Sequence, residues 1–231
     1  METKLERLLL DLVRDANRRW DMFSPGETLV VGVSGGKDSL SCLRLLSLLG
    51  LKLIAVHIGI TDETPAEIEK YCSYYADYKY IRVSHISGHK GSGNPCYACS
   101  RQRKRLLLEQ AEAFNCRRIA MGHHKDDAVE TLLLNMIYSR EISTMMPVQV
   151  LFSGDYHIIR PMYLIPEPLI ATYAREQQLP VMAGSCEFED RTKRDFIKKL
   201  VKEIGDGSPG IDVIDNLFAS IVNIKGDFLP S

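Results

Sequence analysis

The residues Thr28-Leu29-Val30-Val31-Gly32-Val33 form a short apolar run. The chain then passes through Gly35-Gly36 into an apolar-periodic segment from about Ser39 to Leu49, which stops at Gly50. A buried strand, a glycine turn and a helix in that order make one βα unit, and this junction constrains the fold more than any other part of the chain. The pattern repeats. Leu51 to Ile58 reads as a second buried strand. Thr64-Pro65-Ala66-Glu67 has the form of a capping box with Pro at the first helical position, opening a helix to about Asp77. Tyr80 to Val83 is a third strand, 84–95 a Gly- and Ser-rich loop, and a long helix is expected from about Tyr97 to Phe114. A fourth strand, Arg118 to Met121, leads to a helix over Ala128 to Tyr138, and a fifth, His157 to Arg160, to a helix over 167–178. Strands that alternate with helices imply parallel βαβ units. The expected fold class is therefore α/β: a doubly wound, mostly parallel five-stranded sheet with flanking helices and a short C-terminal helical extension.

The ends differ from this alternation. Residues 2–22 carry apolar positions at helical spacing, with Ser24-Pro25-Gly26 as a breaker, so 1–24 is expected as an N-terminal helix ahead of the α/β domain over 25–183. Residues 184–231 are expected as a helical extension. It has a basic helix over 190–204 and a second helix starting at Ser208-Pro209, with Ile211, Ile214, Leu217, Phe218 and Ile221 on one face. A chain of 231 residues with 45% hydrophobic content suits one such domain with an appendage. No run approaches the roughly 18 apolar residues of a membrane span, and the amphipathic, doubly charged N-terminus is unlike a signal peptide, so no membrane partner and a cytoplasmic location are expected. A net charge of −1 announces no nucleic acid, so any such partner must be argued from local clusters.

The glycine turn has chemistry of its own. Ser34-Gly35-Gly36-Lys37-Asp38-Ser39 joins strand to helix. Two glycines allow close backbone approach, and the helix start offers N–H groups and the positive end of its dipole, which suits phosphate. Ser34 and Ser39 add hydroxyl donors and Lys37 adds charge. The loop is neither G-x-x-x-x-G-K-[ST] nor G-x-G-x-x-G. It resembles the phosphate loop of the PP-loop ATP pyrophosphatases. The resemblance implies that Ser34 to Ser39 hold the β- and γ-phosphates of ATP, that cleavage falls between α and β, and that Asp38 helps place Mg²⁺. It also implies that backbone groups around Val56, His57 and Ile58 lie against adenine.

A second block, Met121-Gly122-His123-His124-Lys125-Asp126-Asp127-Ala128-Val129-Glu130-Thr131, follows the fourth strand. Two carboxylates at a strand-to-helix junction can cap the helix or bind Mg²⁺. The block resembles the G-H-x-x-D-D-x-x-E-T element of tRNA-modifying PP-loop enzymes. That resemblance assigns Gly122, Asp126 and Asp127 to ATP and its metal, with His123 either beside them or as a structural hydrogen-bonder. Lys125 has no reading from the sequence.

Cys96-Tyr97-Ala98-Cys99 sits at a loop-to-helix transition, where C-x-x-C can be a redox pair, half a zinc site or part of an iron–sulfur site. There is no second C-x-x-C, so a four-Cys zinc ribbon is excluded. Cys186 lies in the turn Ala183-Gly184-Ser185-Cys186, while Cys42, Cys72 and Cys116 fall within or beside helices and strands and read as small buried hydrophobes. A Cys pair plus one distant Cys resembles the tRNA thiolation branch, the 2-thiocytidine synthetases and related 2-thiouridine enzymes. Arg160-Pro161 and Asp190-Arg191-Thr192-Lys193-Arg194-Asp195-Phe196 are similar to that branch too. The resemblance covers most of 25–224 and implies a 4Fe-4S cluster on Cys96, Cys99 and Cys186 with one iron free of protein ligand. The 2-thiouridine relatives carry terminal zinc ribbons and this sequence has none, which favours the 2-thiocytidine group.

The implied activity is ATP-dependent tRNA sulfur transfer, with release of AMP and pyrophosphate, a sulfur donor of unspecified identity and a homodimeric enzyme. Arg101, Arg103, Lys104 and Arg105 after Cys99, and Arg191, Lys193, Arg194, Lys198, Lys199 and Lys202 after Cys186, would offer a local positive surface to RNA, or be ordinary solvated helix faces. Two other readings stand beside this one: a lysidine synthetase-like ligase with the same loop and no need of the cysteines, and a non-catalytic ATP-binding metal or redox module.

Overall fold

The computed structural model describes residues 3–59, 65–83, 95–182 (95–98 as backbone only) and 192–228. Their strands are β1 (Thr28–Val33), β2 (Lys52–Gly59), β3 (Asp77–Arg82), β4 (Arg118–Ala120), β5 (Val148–Leu151) and β6 (Tyr156–Ile159). The helices are α1 (Lys4–Trp20), α2 (Lys37–Leu48), α3 (Ala66–Tyr75), α4 (Pro95–Ala113), α5 (Lys125–Tyr138), α6 (Glu167–Glu176), α7 (Lys193–Asp206) and α8 (Val213–Ser220). They fall into two compact units, one of residues 1–124 with 147–185 and one of 125–146 with 186–231. No helix among the described residues is long and apolar enough to cross a membrane.

The first unit holds the whole sheet, ordered β3-β2-β1-β4-β6-β5. β1, β2, β3, β4 and β6 run parallel, and β5 pairs antiparallel with β6. The sheet therefore has six strands where five were expected. The sixth, β5, has the sequence Val-Gln-Val-Leu and is only partly buried, so it lacks the continuous apolar run that betrays a central strand. It forms a hairpin with β6 through Phe152–Gly154, where Phe152, Ser153 and Gly154 all have positive φ.

β1 and β2 are buried on both faces, as parallel central strands should be. Val30, Ile54, Val56, Ile58, Ile119 and Ile158 share a core with Leu107 and Ala111 of α4. Leu29, Val31, Leu53 and Ala55 alternate with these and turn to the other face. α2 packs on β1 and β2, and α1, α3 and α6 pack against α2. A buried polar joint ties all four of those helices: Glu6 Oε2 accepts from Tyr173 Oη at 2.8 Å and from Arg44 at 3.1 Å, while Arg44 also reaches Tyr75 Oη at 3.0 Å.

Helices α2, α4 and α5 begin two or three residues earlier than expected, at Lys37, Pro95 and Lys125, and three other starts differ for reasons of capping. α3 begins at Ala66 with Pro65 as its N-cap residue, and Thr64 lies outside the described residues. α7 begins at Lys193 because Thr192 and Asp195 form a reciprocal capping box. α8 begins at Val213 rather than after Ser208: Gly210 has φ +82, and Asp212 accepts from the Asp215 amide at 2.9 Å as the cap.

Candidate functional site

From β1 the chain runs outward to β2 and β3 and then returns to β4 on the other side of β1. The order reverses between β1 and β4, and the loops leaving their C-terminal ends border the crevice where open α/β sheets bind ligands. Ser34 to Gly36 is one of these loops, and Met121 to His124 the other.

The first loop is closed by its own hydroxyls. Ser39 Oγ accepts from the Ser34 amide at 3.1 Å and donates to the Gly36 carbonyl at 3.0 Å, and the Gly36 amide donates to Ser34 Oγ at 3.3 Å. Gly36 is the N-cap of α2 and offers no side-chain cap, which leaves first-turn N–H groups for an anion. Gly35 has φ +83, and a Cβ there would come 2.7 Å from Met182 Sδ; the Met182 amide donates to the Gly35 carbonyl at 3.0 Å. Gly35 is thus required twice, by its backbone angle and by Met182 above it.

At the start of α2, Lys37 Nζ donates to Asp38 Oδ2 at 3.2 Å and to Glu167 Oε1 at 2.9 Å. Burial alone would lower the Lys37 pKa, but Asp38 and Glu167 outweigh it and hold the ammonium above its ordinary value. From the second loop, His124 is buried and places Nε2 3.8 Å from Asp38 Oδ1. The sequence singled out His123 and gave no role to His124, which lies beside the loop carboxylate. Glu167 was missed altogether.

His57 lies near the C-terminal end of β2. It is buried, with Nδ1 3.1 Å from Tyr78 Oη and its ring edge-on to Tyr80, and burial followed by Arg103 lowers its pKa. Val56 and His57 pair with β1 and β3 alike, whereas Ile58 and Gly59 pair with β3 and run past the end of β1.

In the second unit, Asp126 is buried in the first turn of α5. Asp127 Oδ1 accepts from Arg194 at 3.1 Å; Arg194 also donates to Thr131 Oγ1 at 3.1 Å and lies 3.7 Å from Glu130. Asp127, Glu130 and Thr131 have the spacing of one helix face, and here that face holds an arginine of α7. Arg194, expected among the RNA contacts, is engaged inside the unit. Lys125 gains a reading: it pairs with Asp215 of α8 and lies 5.1 Å over the Phe218 ring. Among the described residues no three His, Cys, Asp or Glu side chains converge as a metal site.

Residues 1–204 match the PP-loop domain family. The chain belongs to the PP-loop family. It is similar over 97% of its length to a Ralstonia pickettii protein named tRNA-cytidine(32) 2-sulfurtransferase, with 31% identity and 74% of that protein covered. A Sorangium cellulosum protein of the same name is 30% identical, over 98% of this chain and 84% of its own. Among solved structures, the U34-tRNA thiolase NcsA from Methanococcus maripaludis, solved with its [4Fe-4S] cluster, has the same fold. Its TM-score is 0.74 at 21% identity, covering 96% of this chain and 80% of that one.

Among the cysteines of this PP-loop chain, Cys42, Cys72 and Cys116 are buried. Burial pushes the thiols of Cys42 and Cys72 up to about 12 and raises that of Cys116, which keeps them protonated. Cys99 is half-buried near the start of α4. Cys96 is in the first turn of α4, but its side chain, like Cys186, lies outside the described residues. Past Cys99, Arg101, Arg103 and Arg105 are exposed, with Arg105 3.6 Å from Glu109. Lys104 is half-buried, and burial followed by the nearby Arg160 lowers its pKa.

Proposed function

We propose that this chain is an ATP-dependent tRNA sulfurtransferase that 2-thiolates a pyrimidine, cytidine before uridine, through an adenylated base. The observation that carries the reading is its near-full-length similarity, at about 30% identity, to proteins named tRNA-cytidine(32) 2-sulfurtransferase. The uncapped α2 start behind Gly35-Gly36, with Lys37 and Asp38 at its mouth, supports the nucleotide half of the reaction.

The oxygen at C2 of the base is a poor leaving group. Its attack on the α-phosphate of ATP forms a C2–O–AMP bond and breaks the α–β phosphoanhydride. Lys37 and the first-turn amides of α2 stabilise the charge that gathers on pyrophosphate as it departs. Adenine would rest against the free edge of β2 at Ile58 and Gly59. ATP would enter as its Mg²⁺ complex, a metal that favours phosphate oxygens and water plus one or two carboxylates, and Asp38 is the carboxylate at the loop. Asp126 and Asp127 are the further carboxylates that the second motif offers.

A 4Fe-4S cluster held by Cys96, Cys99 and Cys186 would supply sulfide. Sulfide adds to C2, the C2–O bond breaks, and AMP leaves with the oxygen. Cys99 suits such a ligand set, since it is the accessible thiol among those described, with cations following it along α4. RNA would meet Arg101 and Arg103. A cytoplasmic location fits that substrate. A homodimer would cover apolar side chains that the second unit exposes, among them Ile142, Ile224 and Phe228.

The deciding experiment supplies the reconstituted protein with ATP, sulfide and unmodified tRNA. Expected are AMP, pyrophosphate and a 2-thiopyrimidine nucleoside in the digested tRNA. ADP and phosphate as products, or lysine incorporated in place of sulfur, would overturn the proposal.

A further inference from the structure

Glu167 belongs to none of the motifs, yet its carboxylate meets Lys37 Nζ at 2.9 Å across 130 positions of sequence. Its placement is stiff. Pro166 is the N-cap of α6 and Pro168 its second residue, each with its own φ fixed, and α6 packs on α2, whose first residue is Lys37. The side chains of Lys37 and Glu167 are 28% and 20% exposed, so solvent only partly screens the pair. An acid in a first helical turn is an ordinary partner for the helix dipole. That role needs only a charge near the amides of α6; it does not call for contact with an ammonium on another helix.

The arrangement is unusual for a loop that must take a polyphosphate. One ammonium lies between two carboxylates, Asp38 and Glu167. A phosphate that engages Lys37 has to share or displace them, and when it departs Glu167 is placed to take the ammonium back.

We infer that Glu167 is a positioning residue that competes with pyrophosphate for the Lys37 ammonium and so speeds pyrophosphate release from the loop. The inference rests on the adenylating reading above. Glu167 acts through Lys37: one ion pair replaces another, no covalent bond changes and no proton moves.

The test is calorimetric titration of inorganic pyrophosphate into the full chain as wild type, Glu167→Gln, Lys37→Met and the double variant, with melting curves to verify folding. Gln keeps the size and an acceptor oxygen but loses the charge. Glu167→Asp, which withdraws the carboxylate by one methylene, serves if the Gln variant does not fold. Glu167→Gln should bind pyrophosphate about fivefold more tightly than wild type, the scale of a partly exposed ion pair. In the Lys37→Met background the same change should do less than about twofold. With ATP and tRNA, Glu167→Gln should show a burst of AMP followed by a slower steady state. Equal or weaker pyrophosphate binding by Glu167→Gln, while wild type still makes AMP and pyrophosphate, overturns this inference and leaves the adenylating reading intact. A gain that persists without Lys37 overturns it too, since Glu167 would then simply repel the ligand. So does a loss confined to Mg²⁺-pyrophosphate, which would make Glu167 a metal ligand. A wild-type chain that binds no pyrophosphate and makes ADP removes both.

Discussion

A methyl group placed on Gly122 would lie 2.9 Å from the carbonyl carbon and oxygen of Asp38 and from the amide nitrogen of Ser39. The loop after β4 is thereby pressed onto the first turn of α2. That contact brings His124 beside Asp38 and fixes one wall of the crevice between β1 and β4. None of the three atoms is the far end of a flexible side chain, so an added carbon must move backbone.

Gly122→Ala should therefore damage both nucleotide use and stability. Overpacking of this kind costs about 1–3 kcal/mol, and displacement of the first turn of α2 should reduce AMP formation by about tenfold or more. Turnover and melting temperature measured together check this. A variant with wild-type turnover would show that the two loops need not touch.

High pH should weaken the fold through its buried thiols. Cys42 and Cys72 have pKa values raised from 9.0 to about 12 by burial. Between those values the unfolded chain loses these protons and the folded chain keeps them, so stability falls as pH rises above about 9, by up to about 1.4 kcal/mol per unit for each thiol. Tyr71 and Tyr173, also raised by burial, act in the same sense above 10.0. Denaturant titrations should show that Cys42→Ala with Cys72→Ala delays the decline by about one pH unit. An unchanged profile would mean that these thiols ionise normally.

The β1–glycine–α2 junction was legible because everything that makes it is local: an apolar run, two glycines and helical spacing. The motifs on both sides of the switch point could be placed for the same reason. Chemistry that joins distant positions was not legible. Glu167 meets Lys37 across 130 positions, and nothing near Pro166-Glu167-Pro168 betrays the partner. His124 sits in an aperiodic loop, where no spacing rule says that its side chain reaches Asp38. Arg194 read as one more cation in a basic run, yet Asp127 and Thr131 hold it within the second unit. β5 was missed because it is only four residues long and Gln149 interrupts its apolar run.

Lys125 should matter to α8 and not to nucleotide. Its pair with Asp215, which is 58% exposed, contributes well under about 1 kcal/mol as a charge pair, and its position over Phe218 about as much again. Lys125→Ala should speed hydrogen exchange at the amides of α8 by about fivefold and leave pyrophosphate affinity unchanged. If nucleotide binding falls while α8 stays protected, Lys125 serves the ATP site instead.

RNA affinity should depend on the exposed basic face of α4. Reversal of Arg101 and Arg103 to Glu should weaken binding to all tRNA sequences alike and lower the salt dependence by roughly one unit of slope per lost phosphate contact. Filter binding at several salt concentrations measures this. Unaltered affinity would make that face an ordinary solvated surface.

The cysteines decide the sulfur half of the proposal. Three protein thiolates must converge on a cluster, and thiols that stay protonated inside a core are poor ligands. Cys42 and Cys72 are 0% exposed and Cys116 is 3% exposed, all with raised pKa values. Each of these packs as a small hydrophobe, so replacement by Ala should cost about 1–2 kcal/mol of stability at most. Cys99 is half-buried, Cys96 is its C-x-x-C partner, and Cys186 is the one thiol left to complete a set of three. Ala at 96, 99 or 186 should therefore abolish iron binding and thiolation, whereas pyrophosphate should bind all six single variants as it binds wild type, because the loop of Ser34 to Ser39 contains no thiol. Iron and acid-labile sulfide, assayed on each variant after anaerobic reconstitution, give the answer. A Cys186→Ala protein with a full cluster and normal thiolation would remove Cys186 from the ligand set and return the Cys96–Cys99 pair to its zinc and redox readings. Iron lost instead from Cys42→Ala or Cys72→Ala, with the fold intact, would mean that a thiol seen here in the core leaves it to bind metal.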